Sequence, residues 1–151
     1  MGAAMGTSRT LEPPRTSSSQ LQHLWLSLVR RPWSSLVLVP VDPGTSVGWI
    51  AAPLPELGRL YGLGPFELLS AEGLSAAEGA RLADGLDDGA TNRARAVVTV
   101  EAPAASEVAL RLVLAADAAV LVVRRGGTSL EEARSLIDQI GCEQVLGAVV
   151  T

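Results

Sequence analysis

The sequence predicts a single α/β domain in which a mainly parallel sheet carries helices on both faces and follows an amphipathic N-terminal helix. Apolar segments of strand length alternate with segments of helical spacing along most of the chain, which is typical of repeated strand–helix–strand units. The segments 36–41 and 118–123 are apolar throughout, as expected of strands buried on both faces. With 151 residues, 48% of them hydrophobic, the chain can form the core of one ordinary domain.

The first 18 residues have a different composition from the rest. They are small, polar and proline-bearing and show no periodicity, so we predict a disordered leader over 1–18 and a folded domain over 19–151. The leader lacks the cationic segment and apolar core of a signal peptide. No apolar run approaches the roughly 18 residues that a membrane span needs. We therefore expect a cytoplasmic protein without direct membrane insertion.

A helix is predicted over 19–31. Its apolar residues recur at i, i+3, i+4 and i+7, and they are Leu21, Leu24, Trp25 and Leu28. Arg30 and Arg31 lie at its C-terminal end, where cations complement the helix dipole. We expect the stripe to pack on the domain's own sheet. The alternative is a surface for self-association or a protein partner, with Trp25, Arg30 and Arg31 as candidate contacts, because Leu26 and Val29 lie off the stripe.

The segment after the first strand is predicted to be irregular. Strand 36–41 runs into a turn at Gly44, and residues 46–61 then begin like a helix. Pro53 and Pro55 lie within that segment. Because proline lacks a backbone donor and clashes with the preceding turn, the helix here must be short, broken or kinked.

The middle of the chain continues the alternation of strands and helices. Alternating hydrophobicity predicts a strand over 66–70, and Ser75 with Glu78 forms a capping box for a helix that ends near residue 86. A strand over 96–100 follows. The next helix, over 106–116, is predicted to face the core with Val108, Leu112 and Ala115.

Two further strands and one helix complete the domain. The strands are predicted over 118–123 and 145–150, and the helix between them ends at Ile140 with Gly141 as its C-cap. Two capping boxes are possible at its start. One is Thr128 with Glu131, and the other is Ser129 with Glu132.

Charge and residue counts exclude several classes of function. The net charge of −4 and the scattered arginines argue against a nucleic-acid partner, which needs a basic patch. Cys142 is the single cysteine and His23 the single histidine. Intrachain disulfides, thiolate metal sites and zinc clusters are therefore excluded, and the cysteine usage fits a reducing compartment.

The loop over 42–48 has the position of a phosphate-binding loop but not its chemistry. A strand, a glycine-bearing turn and a helix start bring free backbone N–H groups to one point, which suits an anion. A working loop also needs a lysine for the terminal phosphates. Gly44-Thr45-Ser46 stands where Gly-Lys-Ser is required, Val39 replaces the leading glycine, and the chain contains no lysine.

The carboxyl ends of the strands hold the other candidate groups, because ligands of open parallel sheets bind at that edge. Asp42 and Glu101, with the Ser46 hydroxyl, are the residues from which a magnesium site would be built. Ordinary turn chemistry also explains Asp42, so we predict no metal ligands and no catalytic residues. Arg124 and Arg125 either hold an anion or simply solvate the loop mouth.

Residues 95–151 resemble the C-terminal half of bacterial tyrosine kinase domains of the capsule and exopolysaccharide type, within the ParA/MinD-like group of P-loop ATPases. The resemblance is carried by an apolar strand followed by an acid and a proline (Glu101, Pro103), by AAD before a strand ending in VVR (residues 115–117 and 122–124), by GGTS over 126–129, and by VLGAVV over 145–150. The helix ending in arginines and the segment LVLVPVDPG are similar to the family's pre-strand helix, first strand and Walker A loop.

The resemblance implies a P-loop NTPase-like fold and a site that has lost its key groups. It makes Thr45 the counterpart of the catalytic lysine, Ser46 the magnesium-binding hydroxyl and Glu101 the Walker B acid. The family's D-x-D motif has no match near residues 66–71, and Tyr61 is the only tyrosine, so the C-terminal tyrosine cluster is missing.

These features predict a catalytically inactive regulatory or adaptor protein in exopolysaccharide synthesis or export. The implied partners are a second copy, an intact kinase homologue, or the cytoplasmic end of a membrane chain-length protein that would hold the chain at the inner membrane. No cofactor is expected. The alternative is a nucleotide- or anion-binding protein, or a weak ATPase, that uses Asp42, Gly44, Thr45, Ser46 and Glu101 with ATP and magnesium.

Overall fold

A computed structural model describes residues 18–60, 62, 65–87 and 95–151. The leader predicted over 1–18 lies outside these residues, apart from Ser18, which begins the first helix. The strands are β1 Ser35–Pro40, β2 Phe66–Ser70, β3 Arg95–Thr99, β4 Ala118–Val123 and β5 Val145–Val150. The helices are α1 Ser18–Arg30, α2 Gly48–Ala51, α3 Leu54–Leu60, α4 Ala76–Asp87, α5 Glu107–Ala115 and α6 Leu130–Ile140.

The strands form one parallel sheet in the order β2-β3-β1-β4-β5. β1 is central, with Leu36 opposite Val97 of β3 and Leu38 opposite Val120 of β4. This arrangement confirms the predicted α/β class with a parallel sheet. No helix in the described ranges is both long and apolar enough to cross a bilayer.

Helices cover both faces of the sheet, as predicted, and each face has its own core. On one face, α4, α5 and α6 pack on alternate residues of the central strands through Ala83, Leu86, Ala109, Leu112, Val113, Leu136 and Ile140. On the opposite face, α1, α2 and α3 contribute Leu24, Leu28, Ile50, Ala51 and Leu54. Because β1 and β4 are buried on both faces, their apolar residues do not alternate with polar ones.

The irregular segment after β1 is broken where the prolines lie. α2 has four residues and α3 has seven, and Ala52 and Pro53 separate them. Pro55 lies in the first turn of α3, where the missing backbone donor has no helical partner to lose. The prediction of a short, broken helix is confirmed.

The N-terminal helix packs on the domain's own sheet, as the simpler interpretation predicted. Leu24 and Leu28 are buried. The ring of Trp25 lies 6.3 Å from that of Phe66 in β2. Leu26 and Val29 are exposed, at 48% and 36% of their surface, which agrees with their position off the stripe.

The residues predicted to face the core from α5 do so, but to different extents. Leu112 is buried, whereas Val108 and Ala115 pack against the core with part of their surface exposed. Ala109 and Val113 are buried as well, so the buried stripe is wider than predicted and rotated toward them. The stripe is rotated because Val108 faces sideways onto α4, where Gly79 leaves room for it.

Local hydrogen bonds set the helix ends. Ser75 and Glu78 form the predicted capping box, with the N–H group of each donating to the other's side-chain oxygen at 3.2 Å. At α6 the alternative with Ser129 is the one formed, since its hydroxyl accepts from the Glu132 N–H at 3.1 Å. Gly141 ends α6 with a φ of 98°, a conformation that favours glycine.

The two glycines of α4 provide a matched test of the packing between α4 and α5. A Cβ at Gly79 would lie 2.4 Å from Cγ1 of Val108, whereas a Cβ at Gly85 would meet nothing within 4 Å. We expect Gly79→Ala to lower the free energy of unfolding by about 2 kcal/mol through overpacking. Gly85→Ala should raise it by about 1 kcal/mol through helix propensity. Urea unfolding measures both.

The second substitution Val108→Ala should remove most of the Gly79→Ala penalty. Equal effects of alanine at the two glycines would show that α4 and α5 are not in close contact.

Candidate functional site

The fold places a crevice at the carboxyl edge of the sheet, between the loops that follow β1 and β4. These strands are neighbours, but β1 leads to α2 on one face and β4 leads to α6 on the other. Such a divergence of connections is where ligands bind in open parallel sheets.

Asp42, which follows β1, lies in this crevice with 7% of its surface exposed. Its Oδ1 accepts the Gly44 N–H at 3.0 Å and lies 3.3 Å from Nη2 of Arg124. Its Oδ2 accepts the Thr45 hydroxyl at 3.0 Å and the Thr128 hydroxyl in a shorter contact. We call these five residues, Asp42, Gly44, Thr45, Arg124 and Thr128, the Asp42 clasp.

The clasp joins two loops that are distant in sequence. Thr128 also accepts the Arg124 N–H through the same hydroxyl at 3.0 Å, which ties its position to the end of β4. The Thr45 N–H donates to the Asp42 carbonyl at 3.2 Å and closes the turn after β1. Each loop therefore has a hydrogen bond of its own, in addition to the contacts by which the Asp42 carboxylate joins the two loops.

Two glycines leave room for the Arg124 side chain. A Cβ at Gly44 would lie 2.7 Å from Nη1 of Arg124, and one at Gly127 would lie 2.1 Å from Nε. Any larger residue at either position would displace the guanidinium. The Arg124 side chain is 48% exposed, so one side of the guanidinium faces Asp42 while part of the group remains open to solvent.

Asp42 is ionised at neutral pH despite its burial. Burial raises the pKa of this carboxyl, but the hydrogen bonds from Thr128, Thr45 and the Gly44 N–H, together with the charge of Arg124, outweigh burial and lower the pKa below its ordinary value. The carboxylate therefore contributes stability above the pKa of the unfolded chain, and this contribution is lost as the pH falls through the folded pKa.

A cleft of about 830 Å³ opens beside the clasp. Its walls include Pro103 and Ala104 after β3 and the outer turns of α6. Three carboxylates and one guanidinium line it, namely those of Asp42, Glu131, Glu132 and Arg124. Because Arg124 is paired with Asp42, the remaining charge at the mouth is negative.

Asp42 and Glu101, from which a magnesium site would be built, have different hydrogen-bond partners: Asp42 binds the groups of the clasp, and Glu101 binds the Gly73 N–H. Glu101 accepts the Gly73 N–H at 2.6 Å, next to β2, and does not line the cleft. The Ser46 carbonyl accepts the Trp49 indole N–H at 3.1 Å. Within the described ranges, no group of three histidine, cysteine, aspartate or glutamate residues is placed to hold a metal ion.

Two backbone N–H groups of the loop after β1, those of Gly44 and Thr45, are used within the loop itself. α2 has only four residues, and its N-cap, Val47, makes no side-chain cap. The Gly44 N–H is already used by Asp42. Of the predicted loop residues, the structure therefore groups Asp42, Gly44 and Thr45, with the carboxylate at their centre.

The residues proposed as a partner surface have different environments. Trp25 is partly buried against Phe66. Arg31 donates from Nη1 to the Glu143 carbonyl at 3.0 Å, which ties the end of α1 to the loop before β5. Arg30 is exposed. Only Arg30 of the three is therefore presented to solvent without a described role in packing.

Sequence reasoning did not predict that Arg124 pairs with Asp42 or that the Thr128 hydroxyl donates to the same carboxylate. Arg124 was assigned either to an external anion or to solvent, and Thr128 to a possible helix cap. The sequence did contain a signal. Asp42 and Arg124 carry opposite charges, and they follow neighbouring strands whose connections lead to opposite faces of the sheet. Using it requires the strand order, which places β4 beside β1.

No family model matches the chain, and no curated protein matches it significantly.

The clasp predicts that the stability difference between the wild-type chain and Asp42→Asn depends on pH. Asp42→Asn should lower the free energy of unfolding by about 2 kcal/mol near pH 7, because it removes the charge and places an amide against groups that donate hydrogen bonds. The deficit should shrink as the pH falls below about 4, where the unfolded chain takes up a proton first, and should be smallest below the lowered pKa of the folded carboxyl. Urea unfolding across this pH range measures it.

Asp138→Asn, at an exposed position in α6, is the matched control. It should leave stability nearly unchanged at every pH. A deficit of Asp42→Asn that does not vary with pH would contradict a stabilising charge at Asp42.

Proposed function

We propose that this chain is a catalytically inactive relative of the capsule and exopolysaccharide tyrosine kinases that acts as a regulatory or adaptor protein in polysaccharide synthesis or export. The resemblance of residues 95–151 supports the relationship. The parallel α/β sheet, with the acid Glu101 after β3, is compatible with it. Fold alone does not imply function, so the proposal depends on the crevice.

The observation that carries the proposal is that Asp42 and Arg124 occupy the place where a phosphate-binding loop would hold its ligand. The backbone donor of Gly44, which would face a phosphate, is satisfied by a carboxylate of the same chain. Arg124, the cation nearest the loop, is paired with that carboxylate. The Gly44 N–H is therefore occupied, and the charge of Arg124 is partly neutralised within the chain.

Electrostatics also disfavour a nucleotide in the cleft. Glu131 and Glu132 lie in the first turn of α6 and line the same mouth. Like charges in a partly enclosed site repel more strongly than in bulk water. A polyphosphate entering the cleft would meet these carboxylates with no lysine to offset them.

Such a protein would then act by binding protein partners through its surface. Arg30 is the exposed cation at the end of α1, and Leu26 and Val29 are exposed on the same helix. We propose this part of α1 as the contact for a second copy, an intact kinase homologue or the cytoplasmic end of a chain-length protein. The last of these partners would place the chain at the inner membrane.

Isothermal calorimetry with ATP and ADP, each with and without magnesium, tests whether the crevice binds nucleotide. We expect no saturable heat up to millimolar nucleotide, because the Gly44 N–H is bound to Asp42 and the mouth of the cleft is acidic. An intact kinase domain of the resembled type serves as the positive control. Saturable, magnesium-dependent binding would overturn the proposal and favour the alternative, a nucleotide-binding protein or weak ATPase using residues 42–48.

The adaptor role is tested with an intact exopolysaccharide tyrosine kinase of the resembled type. We expect saturable association and a change in the kinase's autophosphorylation rate on addition of this chain. Arg30→Glu should weaken the association, whereas Arg134→Glu, exposed on α6 at the opposite face, should not. Absence of association, or equal effects of the two charge reversals, would contradict α1 as the contact.

A further inference from the structure

We infer that the Asp42 clasp is a carboxylate-binding site that the chain fills, and thereby closes, with its own side chain. Asp42 is in this sense an internal ligand, and the contact is autoinhibitory for the crevice. The inference deepens the proposed function and rests on it for the view that loop 42–48 holds no nucleotide.

The donors around Asp42 have the geometry of a complete carboxylate site. Three hydrogen bonds and one ion pair meet the two oxygens: the Gly44 N–H and the Arg124 guanidinium at Oδ1, and the two threonine hydroxyls at Oδ2. These contacts use most of the acceptor capacity of an ionised carboxylate. Four groups arranged around two oxygens suit a planar carboxylate better than a tetrahedral phosphate.

Two of the four groups around Asp42 come from a part of the chain other than the one that carries it. Arg124 and Thr128 belong to the loop after β4, where the Arg124 N–H donates to the Thr128 hydroxyl. Gly127 leaves room for the guanidinium. The positions of these two groups are therefore set partly within their own loop, whereas the Gly44 N–H and the Thr45 hydroxyl belong to the turn that Asp42 begins.

The site is also accessible from solvent. Asp42, Gly44 and Arg124 all line the cleft of about 830 Å³. Removal of the Asp42 side chain would leave its donors facing a space that is continuous with this cleft. In the wild-type chain, an arriving carboxylate must compete with Asp42 for Arg124, and its success would release the loop after β1 from the loop after β4.

Chemical rescue of Asp42→Ala by formate tests the inference. Formate supplies a carboxylate without the side chain and should stabilise the variant by refilling the site. For a dissociation constant of about 10 mM, about 100 mM formate shifts the folding equilibrium roughly 11-fold. This shift corresponds to a rise of about 3 °C in the midpoint of thermal unfolding. The wild-type chain should show no such rise.

Four controls define the result. Sodium chloride at equal ionic strength should not rescue Asp42→Ala. Glu101→Ala removes a carboxylate that accepts the single N–H of Gly73 at the same edge of the sheet, and formate should not rescue it. Adding Thr128→Val to Asp42→Ala removes one donor and should weaken the rescue at least several-fold. Inorganic phosphate in place of formate should rescue less.

If Asp42→Ala is unfolded in chloride, formate must restore the far-ultraviolet circular dichroism of the folded chain. Failure of formate to stabilise or refold the variant overturns the inference, as does equal rescue of Glu101→Ala. Stronger rescue by phosphate than by formate would overturn the carboxylate assignment. Nucleotide binding by the wild-type chain would instead overturn the proposed function, so the two failures are distinguishable.

Discussion

The buried carboxylate of Asp42 connects two loops that leave neighbouring strands toward opposite faces of the sheet. A charge at this depth is costly unless it is paired and hydrogen-bonded. The requirement is met only because β4 lies beside β1 and delivers Arg124 and Thr128 to the same point. The strand order, the glycines beside the guanidinium and the turn after β1 are all needed for this one contact.

The clasp also gives the crevice a charge arrangement that differs from that of a phosphate-binding loop. In a phosphate-binding loop the anion comes from outside and the protein supplies a lysine and free amides. Here both signs of charge come from the chain, since Asp42 is paired with Arg124. The cleft that remains is bordered by α6, whose first turn carries Glu131 and Glu132.

The fold could be predicted from the sequence wherever its causes are local. Strands buried on both faces are read directly from unbroken apolar runs, and the cap at Ser75 needs only a glutamate three residues later. The clasp could not be predicted in the same way, since Asp42 and Thr128 are 86 residues apart. The rotation of α5 likewise depends on a gap that Gly79 leaves in another helix.

The space that Arg124 occupies links residues that share no element. Gly44 and Gly127 lie in loops after different strands, yet both must lack a side chain for the same reason. The two glycines and the arginine are therefore expected to change together during evolution. Descendants that replace Arg124 with a short side chain would be free to lose both glycines, whereas a descendant that retains the arginine can lose neither.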